Sequence, residues 1–247
     1  MKSNKIALVT GGSGGIGSEI CRHLSAAGYQ VIVNYNSNKE NALKTVQSLN
    51  KNNKHHIFKA SITNSEEVSQ MAKFVKKEFG HLDVLVNNSG VTKAIPHSNL
   101  DALEDALIDQ IMQVNFRGAF ATIRAFKTLL EKGSNPIIIN ISSIAARTGI
   151  GSNVAYCASK AAIDSLTKSL GRALAPVIRV VSLSPGWVNG EYAKNLPKAY
   201  VQEQKDKTPL GRIAEAEDVA KALVTIVESF TFSTGCIFPV DGGRPLT

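Results

Sequence analysis

The sequence predicts a doubly wound α/β fold, with one seven-stranded parallel sheet and helices on both faces. Three observations predict it. Short apolar runs alternate with longer helical patterns from the first residues onward. The runs are continuously apolar, as suits strands covered on both faces. The first run leads directly into a glycine-rich turn that opens a helix.

Taken in order, "KIALV" (5–9) is the first strand and "TGGSGGIG" (10–17) the turn after it. A helix follows over 15–27, then strand "QVIVN" (30–34) and a helix over 38–51. "HHIFKA" (55–60) is the third strand. Thr63-Asn64 marks the start of a helix over 64–79, because an Asn side chain can accept the free N–H groups of a first turn. "LDVLV" (82–86) precedes one long helix over 101–131. "PIIINI" (136–141) precedes a helix over 153–175, and "IRVVSL" (178–183) is the sixth strand. The stretch 184–212, with Pro185, Gly186, Gly190, Pro197 and Pro209, reads as irregular chain covering a ligand. A helix over 215–229 and strand "CIFPV" (236–240) complete the pattern. With no repeat or linker, residues 1–247 read as one domain.

Composition narrows the function. Of 247 residues 43% are hydrophobic and 19% charged, enough apolar content for a large core. The net charge of +8 comes from scattered lysines, with no basic tract interleaved with aromatics, which argues against nucleic acid. Cys21, Cys157 and Cys236 form no CxxC pair and read as small buried residues in a reducing compartment. The scattered histidines give no metal-ligand spacing. No run approaches the roughly 20 apolar residues of a membrane span. Neither signal peptide nor span is evident, so the expectation is a cytoplasmic protein.

Gly11, Gly15 and Gly17 let backbone approach a ligand closely, and the following helix start offers unpaired N–H groups. Together they suit a pyrophosphate. The G-x-x-x-G-x-G spacing is not a Walker loop, since no Lys-Ser/Thr pair follows. The second strand ends in "VNYNSNKE", where Asn36 and Ser37 carry no negative charge and Lys39 is positive. That favours NADP(H) over NAD(H), unless the ribose is read from elsewhere.

"YCASK" places Tyr156 and Lys160 four apart, on one face of a helix. An ammonium beside a phenol favours the phenolate and moves an acid–base group, ordinarily at pKa ~10, towards neutral pH. Ser143 follows a strand's carboxyl end and can donate a hydrogen bond to a substrate oxygen as charge develops. An exposed polar pair on a helix is the alternative meaning of "YCASK" taken alone.

The pieces "TGGSGGIG" (10–17), "NNSG" (87–90), Asn115 in "MQVNFRG", Ser143 in "NISS", "YCASK" (156–160) and "SPG" (184–186) resemble, in order and spacing, the short-chain dehydrogenase/reductase family over nearly the whole chain. The resemblance implies a Rossmann fold binding a nicotinamide dinucleotide. It implies Tyr156 as acid–base, Lys160 holding the nicotinamide ribose and lowering the Tyr156 pKa, and Ser143 orienting the carbonyl. It implies Asn115 placing a relay water; a helix-interior amide bonded to main chain is the alternative. The cofactor would lie along Gly11, Ser13, Gly15, Ile16, Gly17, Asn36, Ser37, Ser61, Ile62, Asn88, Ser89, Gly90, Pro185, Gly186 and Val188, besides Tyr156 and Lys160. A homo-tetramer through the helices at 101–131 and 153–175 is implied as well.

The chain departs from the family pattern in places. Ser61 stands where an Asp by the adenine is common, and Gly14 where NADP-dependent relatives often carry Arg. Gly190 stands where a Thr would meet the nicotinamide carboxamide, with Asn189 beside it as a substitute. Length, "PLGR" (209–212) and "VDGG" (240–243) resemble 3-oxoacyl-thioester reductases, but Ser134 and Val177 occupy places where basic residues would greet a carrier protein. Trp187 and Tyr192 shape the pocket or simply pack the covering segment. The leading expectation is an NADP(H)-dependent ketone reductase acting on a 3-oxoacyl thioester. The alternatives are an NAD(H)-dependent dehydrogenase of a sugar, polyol or other small alcohol, and a cofactor-binding regulator without catalysis.

Overall fold

A computed structural model describes residues 5–190 and 197–246; Tyr192 lies outside the described residues. The strands are β1 (Ile6–Val9), β2 (Gln30–Tyr35), β3 (His56–Lys59), β4 (Val84–Asn87), β5 (Ile137–Ile141), β6 (Arg179–Pro185) and β7 (Ile237–Val240). They form one sheet in the order β3-β2-β1-β4-β5-β6-β7, every pair parallel. The helices are α1 (Gly15–Ala26), α2 (Lys39–Gln47), α3 (Ser65–Glu78), α4 (Asp105–Met112), α5 (Ala119–Leu130), α6 (Ala145–Thr148), α7 (Val154–Ala173), α8 (Lys198–Asp206) and α9 (Ala216–Ser229). The seven-stranded, doubly wound fold expected from the sequence is the fold observed.

Strand side chains alternate between the two faces. Ala7, Val9, Val31 and Val33 pack with Ile20, Leu24, Ala42 and Leu223, so α1, α2 and α9 cover one face. Ile6, Leu8, Ile32 and Leu85 pack with Met71, Val75, Phe126 and Leu130, so α3 and α5 cover the other, joined by Leu166 and Leu170 of α7. Phe126 is fully buried there, which contributes roughly 1.5–3 kcal/mol. The two edge strands depart from the expected full burial: β3 and β7 are only partly buried, because an edge strand has a neighbour on one side alone. Cys236 beside β7 is likewise exposed, whereas Cys21 and Cys157 are buried.

Three expected elements differ. The helix at 38–51 ends at Gln47. Beyond it Ser48 Oγ donates back to Thr45 O at 2.7 Å and Asn50 Oδ1 accepts the Asn52 N–H, side-chain bonds that compete with the helix ladder. The helix at 101–131 begins only at Asp105 and is broken by a π-helical turn, Gln113–Gly118, between α4 and α5. The irregular stretch 184–212 contains α8, and a parallel bridge pairs Val188 with Ala214. The start at Asn64 is as expected: its Oδ1 accepts the Glu66 and Glu67 N–H groups.

The chain lays down β1, β2 and β3 outward, then returns to place β4 on the other side of β1. The carboxyl ends of β1 and β4 therefore diverge into a crevice, where open α/β sheets bind ligands.

Candidate active site

Thr10 ties the two walls of this crevice together. Its N–H donates to Val86 O at 2.9 Å, and its Oγ1 accepts the N–H groups of Asn88 and Ser89 at 3.0 and 3.1 Å. Asn88 Nδ2 donates back to the carbonyls of Thr10 and Gly11 at 3.0 and 3.1 Å. Gly11 sits at φ +61°, the left-handed region that glycine takes without strain. A Cβ at Gly17 would overlap the Gly11 carbonyl and the Asn88 amide, so Gly17 lets α1 start hard against the turn.

Two adjoining cavities share Asn88, Gly90 and Val91. The wider, about 530 Å³, is lined by Gly11, Ser13, Asn36, Ser37, Ser61, Ile62, Asn88, Ser89 and Gly90 from the sequence-derived set. None of its lining side chains is charged. Ser61 keeps its hydroxyl on Thr63 Oγ1 at 2.8 Å, and its N–H donates to Glu67 Oε2 at 2.7 Å. The narrower, about 290 Å³, gathers Ile16, Asn88, Gly90, Ser143, Tyr156, Lys160, Pro185, Gly186 and Val188.

Gly15, Gly17 and Asn115 line neither cavity. Asn115, in the π turn and 2% exposed, accepts the Val91 N–H on Oδ1 at 2.8 Å. Its Nδ2 donates to Val91 O at 3.1 Å and Ser159 Oγ at 3.0 Å. The amide is bonded to main chain, but that of the neighbouring loop rather than of its own helix. Asn189 Nδ2 donates to Glu215 Oε1 at 3.1 Å, so it is engaged outside the cavity. Trp187 meets Tyr200 of α8 edge-on at 5.8 Å and does not line the cavity.

The reactive trio stands on one wall. β5 delivers Ser143, and α7 presents Tyr156 and Lys160 one turn apart. Asn153 caps α7 by accepting the N–H of Tyr156 itself at 2.7 Å, and its Nδ2 donates to Lys93 O at 2.8 Å. Lys160 Nζ lies 5.7 Å from the Tyr156 ring centre and donates to Ile141 O at 2.7 Å. Burial pushes Lys160 down to about 8, against the upward pull of Asp164. Burial also raises the Tyr156 phenol above its ordinary value, with Ser143's hydrogen bond opposing. This corrects the expected depressed phenol: desolvation outweighs what stabilises the anion, and Tyr156 is protonated at neutral pH.

Sequence reasoning missed Asn153, Val91, Thr92 and the α4 side chain Gln110. Asn153 had a signal, an Asn just before a helix. Gln110 had none of its own; it reaches the wider cavity together with Gln113 and Val114, three and four residues further along the same helix face. Among the described residues no helix is long and apolar enough to cross a membrane, and no cluster of His, Cys, Asp and Glu is placed to hold a metal.

The family model of the short chain dehydrogenases matches residues 5–201. The chain is 32% identical to the 3-oxoacyl-(acyl-carrier-protein) reductase of Staphylococcus aureus, covering 98% of this chain and 99% of that protein. It is also 32% identical to a 3alpha-hydroxysteroid dehydrogenase of Mediterraneibacter gnavus, over 98% of this chain and 97% of that one. A solved structure from Brucella melitensis, described as a short-chain dehydrogenase/reductase and glucose/ribitol dehydrogenase, superposes with a TM-score of 0.91 at 27% identity, covering 98% and 97% of the two chains.

Proposed function

The chain belongs to the short-chain dehydrogenase family, an NAD(P)-dependent oxidoreductase, and on that premise we propose that it reduces the ketone of a 3-oxoacyl thioester to a secondary alcohol with NADP(H). The observation that carries the reading is the convergence of Ser143, Tyr156 and Lys160 on one cavity wall, beside a larger neutral trough. Relatives named for 3-oxoacyl reduction at 32% identity support the substrate class.

The trough fits a dinucleotide. Its two cavities join at Asn88, Gly90 and Val91, and a Cβ at Gly14 or Gly15 would meet nothing within 4 Å, so the turn leaves open space at the start of α1. Gly11, Ser13 and Ser89 would hold the pyrophosphate side, with Asn36 and Ser37 at the adenosine ribose. No carboxylate lines that end, and Glu40, the nearest acid in sequence, pairs outward with Lys44 at 2.6 Å. This favours a 2′-phosphate over a free hydroxyl, with Lys39 at the start of α2 as its cation.

When bound, the nicotinamide supplies the hydride that adds to the carbonyl carbon. Tyr156, protonated at neutral pH, gives its proton to the carbonyl oxygen. Ser143 donates a hydrogen bond to the same oxygen. Lys160 holds the ribose and favours the phenolate that the proton transfer leaves behind. Asn115 fixes the 90–91 backbone beside Lys160. Exposed Phe120 and Val154, on the two helices of the expected tetramer contact, support homo-tetramerisation, which sedimentation tests: a 26.4 kDa species alone refutes it.

The test of the activity follows NADPH oxidation with acetoacetyl-CoA, with NADH in parallel. Turnover with NADPH that is lost in Tyr156→Phe supports the reading. Preference for NADH overturns the cofactor assignment. No turnover with acetoacetyl-CoA, but turnover with a polyol, overturns the substrate.

A further inference from the structure

After β4 the chain runs irregularly from Asn88 to Pro96, and this run is laced to the loop that opens α7. The Val91 N–H donates to Asn115 Oδ1 at 2.8 Å, and the Val91 carbonyl accepts Asn115 Nδ2 at 3.1 Å. The Ile95 N–H donates to Ser152 O at 2.8 Å, and His97 Nε2 lies 3.1 Å from Gly151 O. Between these anchors Thr92 is exposed, and it lines the narrower cavity together with Ser143, Tyr156 and Lys160. Its Oγ1 accepts Asn153 Nδ2 at 3.2 Å and is hydrogen-bonded to Ser152 Oγ. The Asn153 Oδ1 accepts the Tyr156 N–H at 2.7 Å. One buried amide therefore holds the Thr92 hydroxyl at one end and the backbone of Tyr156 at the other.

The hydroxyl pair has a proton to spare. Two hydroxyls carry two protons, and the bond between them uses one. The bond from Asn153 uses neither, because the amide is its donor. One hydroxyl proton is left without an acceptor among the described residues. Thr92 lines the cavity and Ser152 does not. Ser152 donating to Thr92, with Thr92 turning its own proton into the cavity, satisfies both. Thr92 Oγ1 then accepts twice, which polarises its O–H and makes it a better donor.

We propose that Thr92 is a specificity-determining residue: its hydroxyl, held by Ser152 and Asn153, donates to the second carbonyl oxygen of the substrate, the thioester oxygen of a 3-oxoacyl group. The ketone oxygen engages Ser143 and Tyr156, and Thr92 is a further neutral donor on the same cavity. A 3-oxoacyl thioester carries its second carbonyl two carbons from the ketone, and a simple ketone has none. A site built to hydrogen-bond a group rejects the analogue that lacks it, because the donor is then left unpaired. The inference rests on the reading of the chain as a thioester reductase.

The test compares acetoacetyl-CoA with cyclohexanone, a ketone with one oxygen, at saturating cofactor. Thr92→Val keeps the shape of the side chain and removes the hydroxyl. The ratio of kcat/KM for acetoacetyl-CoA to that for cyclohexanone is expected to fall about tenfold, mainly through KM for the thioester. Any disturbance of the Asn153 cap acts on both ketones and cancels in the ratio. Thr92→Ser, which keeps the hydroxyl, is expected to return the ratio towards the wild-type value. If cyclohexanone is too poor a substrate to measure, the thioester alone decides: a higher KM that Thr92→Ser reverses supports the proposal, and a lower kcat without it overturns it. A thioester reductase whose ratio is indifferent to Thr92→Val overturns this proposal alone. A wild-type chain that reduces cyclohexanone but not acetoacetyl-CoA overturns the thioester reading, and this proposal falls with it.

Discussion

Two buried charges sit at opposite ends of the sheet and are held in opposite ways. At the amino end, Asp83 is 3% exposed and accepts the Ile6 N–H at 2.7 Å and the Ser134 N–H at 2.6 Å, with His81 Nε2 3.3 Å away. At the carboxyl end, Lys160 is 5% exposed, has three N–H donors, and gives one to Ile141 O; among the described residues no carboxylate lies within 4 Å of it. Asp83 is a clamp whose acceptors are filled by backbone, joining the start of β1 to the loop before β5. Lys160 keeps donors in reserve, facing a cavity. The difference teaches where to look for chemistry in such a fold: a buried charge with unused hydrogen-bonding capacity is unfavourable for stability and available for work.

The contrast can be broken in four ways. The largest effect belongs to Tyr156→Phe, which removes the proton donor and is expected to lower turnover of acetoacetyl-CoA by about 10³-fold or more. Its urea unfolding midpoint should scarcely change; a large loss of stability would mean that the phenol is structural.

Asp83→Ala comes next. It strands two buried N–H groups, so urea denaturation should register a loss of about 3–5 kcal/mol, while kcat of the folded fraction stays near wild type. A loss below about 1 kcal/mol would mean that Asp83 is no clamp.

Lys160→Met sharpens the comparison from the other side. The lysine is pushed down to about 8 from 10.5, so the unfolded chain binds its proton more tightly than the folded one. Folding is therefore penalised below about pH 8, and the penalty disappears as pH rises towards 10.5. The variant should gain up to about 3 kcal/mol at pH 7, shrinking as pH is raised through that window, and should lose turnover. Equal stability at pH 7 would show that Lys160 is as well satisfied as Asp83.

The smallest effect is at Asn153. Removing the cap of α7 in Asn153→Ala should lower stability by about 1–2 kcal/mol and raise KM more than it lowers kcat, since the 92–93 loop loses its tie. Steady-state kinetics with parallel thermal melts check it.

Much of this was legible in the residues. All seven strands and the Asn64 start follow from apolar runs and turn residues, whereas the cavity-lining side chains from Gly11 to Val188 were named chiefly through the family resemblance. What was not legible depends on packing between distant segments. The edge strand β7, Ile-Phe-Pro-Val, is as apolar in sequence as a central one, and only sheet order tells it apart. The direction of the Tyr156 shift depends on how far water is removed around the ring, which no spacing encodes. Asn189 sat beside the expected contact in sequence, yet its amide is turned to Glu215 by the bridge between Val188 and Ala214.

The π turn at Gln113–Gly118 carries a further consequence. Each residue of an α-helix advances the side chains by about 100° around its axis, so α4 and α5 are two helices out of phase, joined by an offset. Before the offset, Gln110 faces the trough; after it, Phe126, Leu129 and Leu130 face the core. Deleting one residue in the segment would restore a continuous helix and bring the two halves into phase, so that either the trough wall or the core face would be turned away. Substitutions on the outer side of this segment should be tolerated far better than any change in its length.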